Sequence, residues 1–419
     1  MRDWGNLVKE IVTKIVEHVE FYEDFETLQK ICRHWRLAAK AAKLRANVKE
    51  SHTLPWLMLS ENEKDAYSTR RRRLYSLSKK MVYQVNLPKY FLKIRRDPKR
   101  LLSSYGWLLV LSERGHVSLL NPYSNVIIKL PNIHNYNHAD ECCKFTLSAN
   151  PSTTSDFIVF VSFAEPLCTG PPPSNLVYWR NGDASWIRVT NPYVPDPYFG
   201  LEACSLDSIE KFLFSVCLGV TFYQGEFYGT NIYGWIVKFE TAQGSPHFRA
   251  VTNLSYIRRA QEAKSPSNKG LITLLGHFFF YYLVKSQGQL LIIGQVVRYF
   301  AMKYKPRRCT TRFELLELNV DNGKVKEVSR LGNRAFFIGP NNSSFSVEVS
   351  PSLANGFMSN CVYFVDIQEH GPCKGPGRDG RDHCVYNLAS SKFERRFYND
   401  HSSDVAKYTP FTWVESPNS

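Results

Sequence analysis

The sequence predicts a mainly β protein, in which a small all-α module precedes a β-propeller of about seven blades. Three observations predict it. The first forty or so residues carry an apolar stripe at helical period. Beyond residue 70, short apolar runs alternate with turn residues and no convincing long helix appears. Aromatics are abundant, with 27 Phe, 23 Tyr and 8 Trp, and aromatic and β-branched side chains favour sheet.

In the N-terminal stretch, Leu7, Ile11, Ile15 and Val19 recur every fourth residue, and Val8, Val12 and Val16 run beside them. That spacing predicts an amphipathic helix with a wide apolar face, with Asp3 as its N-cap. The pattern breaks over residues 20–23 and restarts after Asp24, a second candidate cap. Phe25, Leu28, Ile31 or Cys32, Trp35, Ala38 and Ala42 mark one face of a second helix, with Glu26 and Lys30 paired on the other side. Two short helices bury too little to offset the cost of ordering them. The segment therefore wants a partner surface, which either the rest of the chain or another protein can supply.

Pro55 ends any helix, and Leu54–Leu59 read as an extended apolar stretch. Strand signals then follow in pairs. Trp107–Leu111, Val117–Leu120 and Val126–Leu130 are separated by Glu113-Arg114-Gly115 and Asn121-Pro122. Leu176–Trp179 and Trp186–Val189 flank Asn181-Gly182-Asp183, and Phe227–Thr230 and Trp235–Phe239 surround Gly234. Tyr281–Lys285 and Gln289–Ile293 flank Gly288. Phe313–Val320 and Lys324–Val328 flank Asp321-Asn322-Gly323, and Val362–Val365 with Val385–Leu388 complete the series. These are hairpin signals. Many short strands at even spacing mean a sandwich, barrel or propeller. About 320 residues exceed a sandwich, and at roughly 45 residues per blade they give about seven blades. The expected organisation is a helical module over 1–45, a linker over 46–69, a propeller over 70–398 and a C-terminal tail over 399–419.

The N-terminal residues carry a family resemblance. Trp4-Gly5-Asn6-Leu7-Val8-Lys9-Glu10-Ile11-Val12 is similar to the F-box opening, Trp-x-x-Leu-Pro-x-Glu-Leu-Leu. Asp24 with Ile31-Cys32-Arg33-His34-Trp35-Arg36-Leu37-Ala38-Ala39 is similar to its close, Asp then Val-Cys-x-x-Trp-Arg-x-Ala-Ala. The F-box binds the Skp adaptor of cullin-based ubiquitin ligases. The resemblance implies a Skp-family adaptor and, through it, a cullin as partners. It implies that Trp4, Leu7, Val8, Glu10, Ile11, Ile15, Ile31, Cys32 and Trp35 meet the adaptor or build the module's own core. The opening departs at Val8, where the family has proline. Proline pre-sets the first helical turn, so its absence loosens the start of the helix.

Further pieces resemble the plant F-box proteins with a KIB-type propeller. They are Pro55-Trp56-Leu57-Met58-Leu59, Arg73-Leu74-Tyr75-Ser76-Leu77 and Ser104-Tyr105-Gly106-Trp107-Leu108. Next come Leu120-Asn121-Pro122-Tyr123-Ser124, and Val177-Tyr178-Trp179-Arg180-Asn181-Gly182-Asp183 with Trp186. Tyr282-Leu283-Val284-Lys285-Ser286 and Arg334-Ala335-Phe336-Phe337-Ile338-Gly339 close the set, which spans about residues 50–390. The resemblance implies a propeller that holds an unidentified target protein.

Charge and cysteine usage narrow the remaining classes. The net charge is +15, yet residues 70–100 hold twelve Lys or Arg and one acid, and so carry +11 of it. Within that window Arg70, Arg71, Arg72, Arg73, Arg95, Arg96, Lys99 and Arg100 admit three readings: a solvated strand edge, a nuclear-import signal, or a surface for an anionic partner. Nucleic acid ranks below protein among those partners. No apolar run is long enough to cross a bilayer and the N-terminus does not read as a secretory signal. Ten cysteines without a dense framework read as reduced thiols of a cytoplasmic or nuclear protein.

No catalytic constellation emerges. His134, His138, Cys142 and Cys143 would share a helical face, but their surroundings favour a loop. His370, Cys373, His383 and Cys384 lack the paired spacing of zinc modules. Gly375–Gly380 fits Gly-x-Gly-x-x-Gly, but a strand rather than a helix is expected after it. Asp156, Asp183 and Asp366 are isolated acids, and Asp183 sits in a turn where Asp is common. No metal and no cofactor is assigned. The expected function is a non-catalytic substrate receptor of a Skp–cullin–F-box ubiquitin ligase. A protein-binding propeller without ligase activity and a nucleic-acid-binding propeller using residues 70–100 stand as alternatives.

Overall fold

A computed structural model describes residues 7–19, 24, 28, 31–45, 55–60, 71–77, 80–86, 101–111, 116–124, 126–133, 142–164, 176–189, 217–231, 234–240, 247–255, 257, 277–300, 307–339, 344–349, 357–366, 382–394 and 409–415. Two helices with described bounds come first, α1 (Lys9–Glu17) and α2 (Arg33–Arg45), and residues 24, 28 and 31 are helical too. Beyond them the described chain is mostly strands and turns, with residues 254, 255 and 257 helical. The first sheet holds β1 (Trp56–Ser60), β2 (Arg71–Ser76) and β3 (Met81–Asn86), and the second holds β4 (Leu101–Ser104) to β7 (Ile127–Leu130). The third holds β8 (Cys142–Leu147), β9 (Ile158–Ala164), β10 (Leu176–Arg180) and β11 (Ile187–Arg188), and the fourth β12 (Cys217–Tyr223) to β15 (His247–Asn253). The fifth holds β16 (His277–Ser286), β17 (Gln289–Phe300), β18 (Arg307–Leu318) and β19 (Val325–Glu327). The sixth runs from β20 (Arg334–Ile338) and β21 (Phe345–Glu348) through β22 (Cys361–Asp366) and β23 (Asp382–Asn387) to β24 (Lys392–Phe393). The last strand, β25 (Thr409–Val414), returns to pair with β1 as the first strand of the first sheet.

Period-2 alternation along each strand explains why these sheets form a ring. Successive side chains of a strand face opposite sides of its sheet. In the first sheet, Trp56, Met58, Leu74 and Val414 pack against Leu108, Val110 and Leu120 of the second. The intervening Leu57, Leu59, Tyr75 and Trp413 pack against Ala335, Phe337, Tyr363 and Val385 of the sixth. The same division recurs between sheets two and three, three and four, four and five, and five and six. Six sheets thus share six apolar seams, and the seam between the sixth and the first closes the circle. The molecule is a six-bladed propeller, not the seven-bladed one expected from length. Dividing length by a fixed blade size overcounts here because the blades are unevenly spaced along the chain: the second starts at Leu101, the third at Cys142 and the fourth only at Cys217.

The expected hairpins are present: β10 pairs with β11, β13 (Glu226–Asn231) with β14 (Trp235–Glu240), β16 with β17, β18 with β19 and β22 with β23. The first turns of three blades, Tyr105-Gly106, Gln224-Gly225 and Gln287-Gly288, have positive φ at both residues, as two-residue hairpin turns that match strand twist require. The expected boundaries shift at both ends. β1 lies inside the stretch expected as a linker, and β25 lies inside the stretch expected as a tail. The sixth blade also departs from a simple meander, since β20 runs parallel to β22 and β21 pairs on its other side.

Trp413 concentrates the closure. It is fully buried, donates its indole N–H to Ile338 O at 3.2 Å, and meets Phe337 edge-on at a centroid distance of 4.9 Å. Phe337 in turn stacks on Phe345, Phe357 and Tyr363. Trp413→Ala is expected to destabilise the propeller by about 3–5 kcal/mol. Urea unfolding followed by tryptophan fluorescence would show the lowered midpoint, and a loss below about 1 kcal/mol would contradict this role for the closing strand.

Candidate functional site

The helix pair is the first candidate. α1 starts at Lys9, with Val8 as its extended N-cap residue at φ −61° and ψ 144° and no side-chain cap. Asp3, Phe25, Glu26 and Lys30 lie outside the described residues, as does Trp4. Val8 O accepts the N–H groups of Ile11 and Val12, so the helix starts without a capping side chain. Val12, Val16, Trp35, Ala38 and Ala39 form a small core of their own, with Leu7, Ile15, Leu28 and Cys32 packed half-buried against it.

This core divides the residues read as one adaptor-binding set. Trp35, at 3% exposure, is interior, and Leu7, Ile15 and Cys32 flank it. Val8 at 57%, Ile11 at 46% and Ile31 at 49% are exposed, and so is Glu10. Between Ile31 and Cys32, it is Cys32 that turns inward. Leu37, not singled out from sequence, is also 57% exposed. The physical reason is that α1 carries two adjacent apolar stripes and one partner helix covers only part of so wide a face. The second stripe, Val12 and Val16, takes that cover.

The basic window is only partly described. Arg71, Arg72 and Arg73 lie on β2, opposite Asn86, Val85 and Gln84 of β3, and Arg73 is half-buried. Arg70, Arg95, Arg96, Lys99 and Arg100 lie outside the described residues. The structure therefore places part of the window in a blade strand.

The chemistry-bearing clusters do not assemble among the described residues, where no group of three or more His, Cys, Asp or Glu is arranged to hold a metal. Cys142 and Cys143 open strand β8 instead of continuing a helix, while His134 and His138 are outside the described residues. His383 and Cys384 are neighbours on β23, with Cys384 buried in the seam between blades five and six, and His370 and Cys373 are not described. β23 also stands after Gly375–Gly380, where a dinucleotide site needs a helix. Asp183 is used locally. Its carboxyl accepts Arg180 N–H and its carbonyl accepts the Trp179 indole N–H.

Glu415 is the acid whose environment shifts it most clearly. It follows β25 directly and is buried between blades one and two. Burial pushes its carboxyl up from 4.5 to about 8, although the backbone N–H groups of Tyr105 and Gly106 favour the ionised form. Tyr105, half-buried beside it, rises to about 12 through desolvation and the Glu415 charge. Tyr123 donates its hydroxyl to Glu415 O at 3.0 Å. Perturbed acids often mark active sites, but these partners are structural, and they fasten the end of β25 to the second blade.

Comparison with known proteins now fits this geometry. The KIB1-4 beta-propeller model matches residues 74–387. The chain belongs to the KIB1-4 beta-propeller family. An F-box protein of Arabidopsis thaliana is similar at 25% identity over 129 residues, a match spanning 31% of this chain and 28% of that protein's length. Among solved structures, the N-terminal domain of Nup159 is similar over 75% of this chain and 73% of its own, at 10% identity and a TM-score of 0.27. A Bacteroides thetaiotaomicron protein of unknown function is similar over 80% and 65%, at 9% identity and a TM-score of 0.32. Likenesses that low carry no argument. The KIB1-4 propeller assignment rests on the family match and the six seams.

Two predictions follow from the burial and the titration. Val12→Asp, which buries an unpaired charge, is expected to cost more than about 3 kcal/mol of helix-pair stability, and Ile11→Asp less than about 1 kcal/mol. Far-UV circular dichroism on heating separates them, and equal losses would contradict the division into core and surface. For Glu415, the folded carboxyl holds its proton up to about 8 whereas the unfolded one releases it near 4.5. Its stabilising contribution is complete below the lower value and is lost as pH rises through the upper. The melting temperature should therefore fall between those values, and Glu415→Gln should flatten the fall. An unchanged slope in the variant would assign the effect to other groups.

Proposed function

We propose that this KIB1-4 propeller is a non-catalytic substrate receptor of a Skp–cullin–F-box ubiquitin ligase. The helix pair docks a Skp-family adaptor and the propeller holds a target protein, so that ubiquitin transfer gains from proximity. The observation that carries this reading is the exposed apolar set Val8, Ile11 and Ile31 on a helix pair that already has its own core. Exposed apolar side chains beside a completed core are what a docking surface needs. The F-box protein of Arabidopsis that matches part of the chain supports the same reading. No described helix is long and apolar enough to cross a membrane, and we place the protein in the cytoplasm, the nucleus or both.

Val8 stands where F-boxes have proline, yet its φ of −61° is already the value proline fixes. The departure therefore costs pre-organisation and not geometry. Because of that cost, a second reading remains: a protein-binding propeller that does not join a ligase.

Pull-down with a recombinant Skp adaptor and cullin separates the two. The proposal expects the full chain to recover both, and Ile11→Glu with Ile31→Glu to cut recovery about tenfold or more without lowering the melting temperature. Val8→Pro should keep recovery and raise stability by about 0.4–1 kcal/mol. A chain that binds other proteins but recovers no adaptor would favour the second reading.

A further inference from the structure

Arginine is almost never buried in a protein without an acid beside it. Arg334, which opens β20, departs from that rule. It is only 9% exposed. Its Nε donates to Leu331 O at 2.9 Å, and its Nη1 donates to Ser286 Oγ at 3.0 Å. Both partners are neutral. Glu348, the residue opposite on β21, accepts Gln287 Nε2 at 2.6 Å instead. Among the described residues no acid forms an ion pair with Arg334. The guanidinium stays charged at every working pH. Its two bonds leave both N–H groups of Nη2 unused, and Nη2 is not sealed from solvent.

The surroundings of this cation are independent of its bonding. The turns Tyr105-Gly106, Gln224-Gly225 and Gln287-Gly288 join the first two strands of their blades, and so mark one end of the ring. Ser286 ends β16 just before the third of these turns, which places Arg334 at the same end, in the seam between blades five and six. Gly288 and Gly332 lie on either side of the pair in the two flanking turns. A side-chain carbon added at either glycine would meet nothing within 4 Å. Both turns therefore border open space. Lys285 and Arg330, which precede Ser286 and Leu331 in the chain, are exposed and add positive charge to this end.

We propose that Arg334 and Ser286 form a binding site for a small oxyanion, a carboxylate or a phosphate group, at the end of the seam between the fifth and sixth blades. A guanidinium takes such groups through charge-assisted hydrogen bonds in a fixed fork. The Ser286 hydroxyl accepts from Nη1 and keeps its own proton to donate. A purely structural residue here would need only to serve Leu331 O and Ser286 Oγ. A neutral amide can do that without the cost of burying a charge. Glu348 opposes the anion from across the ladder, so removing its charge should tighten binding.

Thermal unfolding of the full chain in sodium phosphate, sodium acetate and sodium chloride, at matched ionic strength and neutral pH, tests the site. A ligand bound only by the folded chain raises its melting temperature. Phosphate or acetate should give a saturable rise that chloride does not give. Saturation by phosphate alone assigns the site to phosphate groups, and by acetate alone to carboxylates. Arg334→Gln should abolish the rise. Glu348→Gln should move the curve to about threefold lower concentration or more. That second variant leaves Arg334 in place, so the site can be tested even if Arg334→Gln does not fold. No saturable rise with either anion, a rise that survives Arg334→Gln, or a curve unmoved by Glu348→Gln would each overturn the proposal. The assay needs no adaptor, so its outcome is independent of the ligase reading.

Discussion

The structure depends on one strand. Six sheets arranged in a row would share five seams and leave two apolar faces open, one on the first sheet and one on the sixth. β25 completes the first sheet where those faces meet. Its Val414 faces the second blade and its Trp413 faces the sixth, so a single pair of neighbours in sequence serves two different seams. Glu415 then secures the end of the strand to the second blade. The chain's first and last strands are therefore in one sheet, and the stability of the earliest blade is decided by residues near position 413.

Short apolar runs were legible in the amino-acid sequence, and so were several of the turns. Asn181-Gly182-Asp183, Gly288 and Asp321-Asn322-Gly323 mark hairpins because few residues tolerate the backbone conformations those turns need. What could not be read locally was partnership over distance. Nothing in Thr409–Val414 says that its neighbour is Trp56–Ser60, and nothing in Phe345–Glu348 says that it pairs outside β20 while β22 joins the other side. Blade number was lost for the same reason, since chain length between strands varies and only the seams count blades.

The helix pair shows a related limit. Spacing identifies apolar stripes but not which stripe a partner helix will cover. Trp35, which the sequence left as either a contact or a core residue, is interior, while Ile11 and Ile31 remain outside.

The helix pair presents outward apolar side chains beside a small core of its own, while the blades are held by six seams. Hydrogen exchange on the full chain, with and without a recombinant Skp adaptor, tests the division most directly. Adaptor docking on the helix pair predicts slowed exchange within residues 8–16 and 31–39 and unchanged exchange in the blade strands. Protection confined to the blades, or none anywhere, would contradict it.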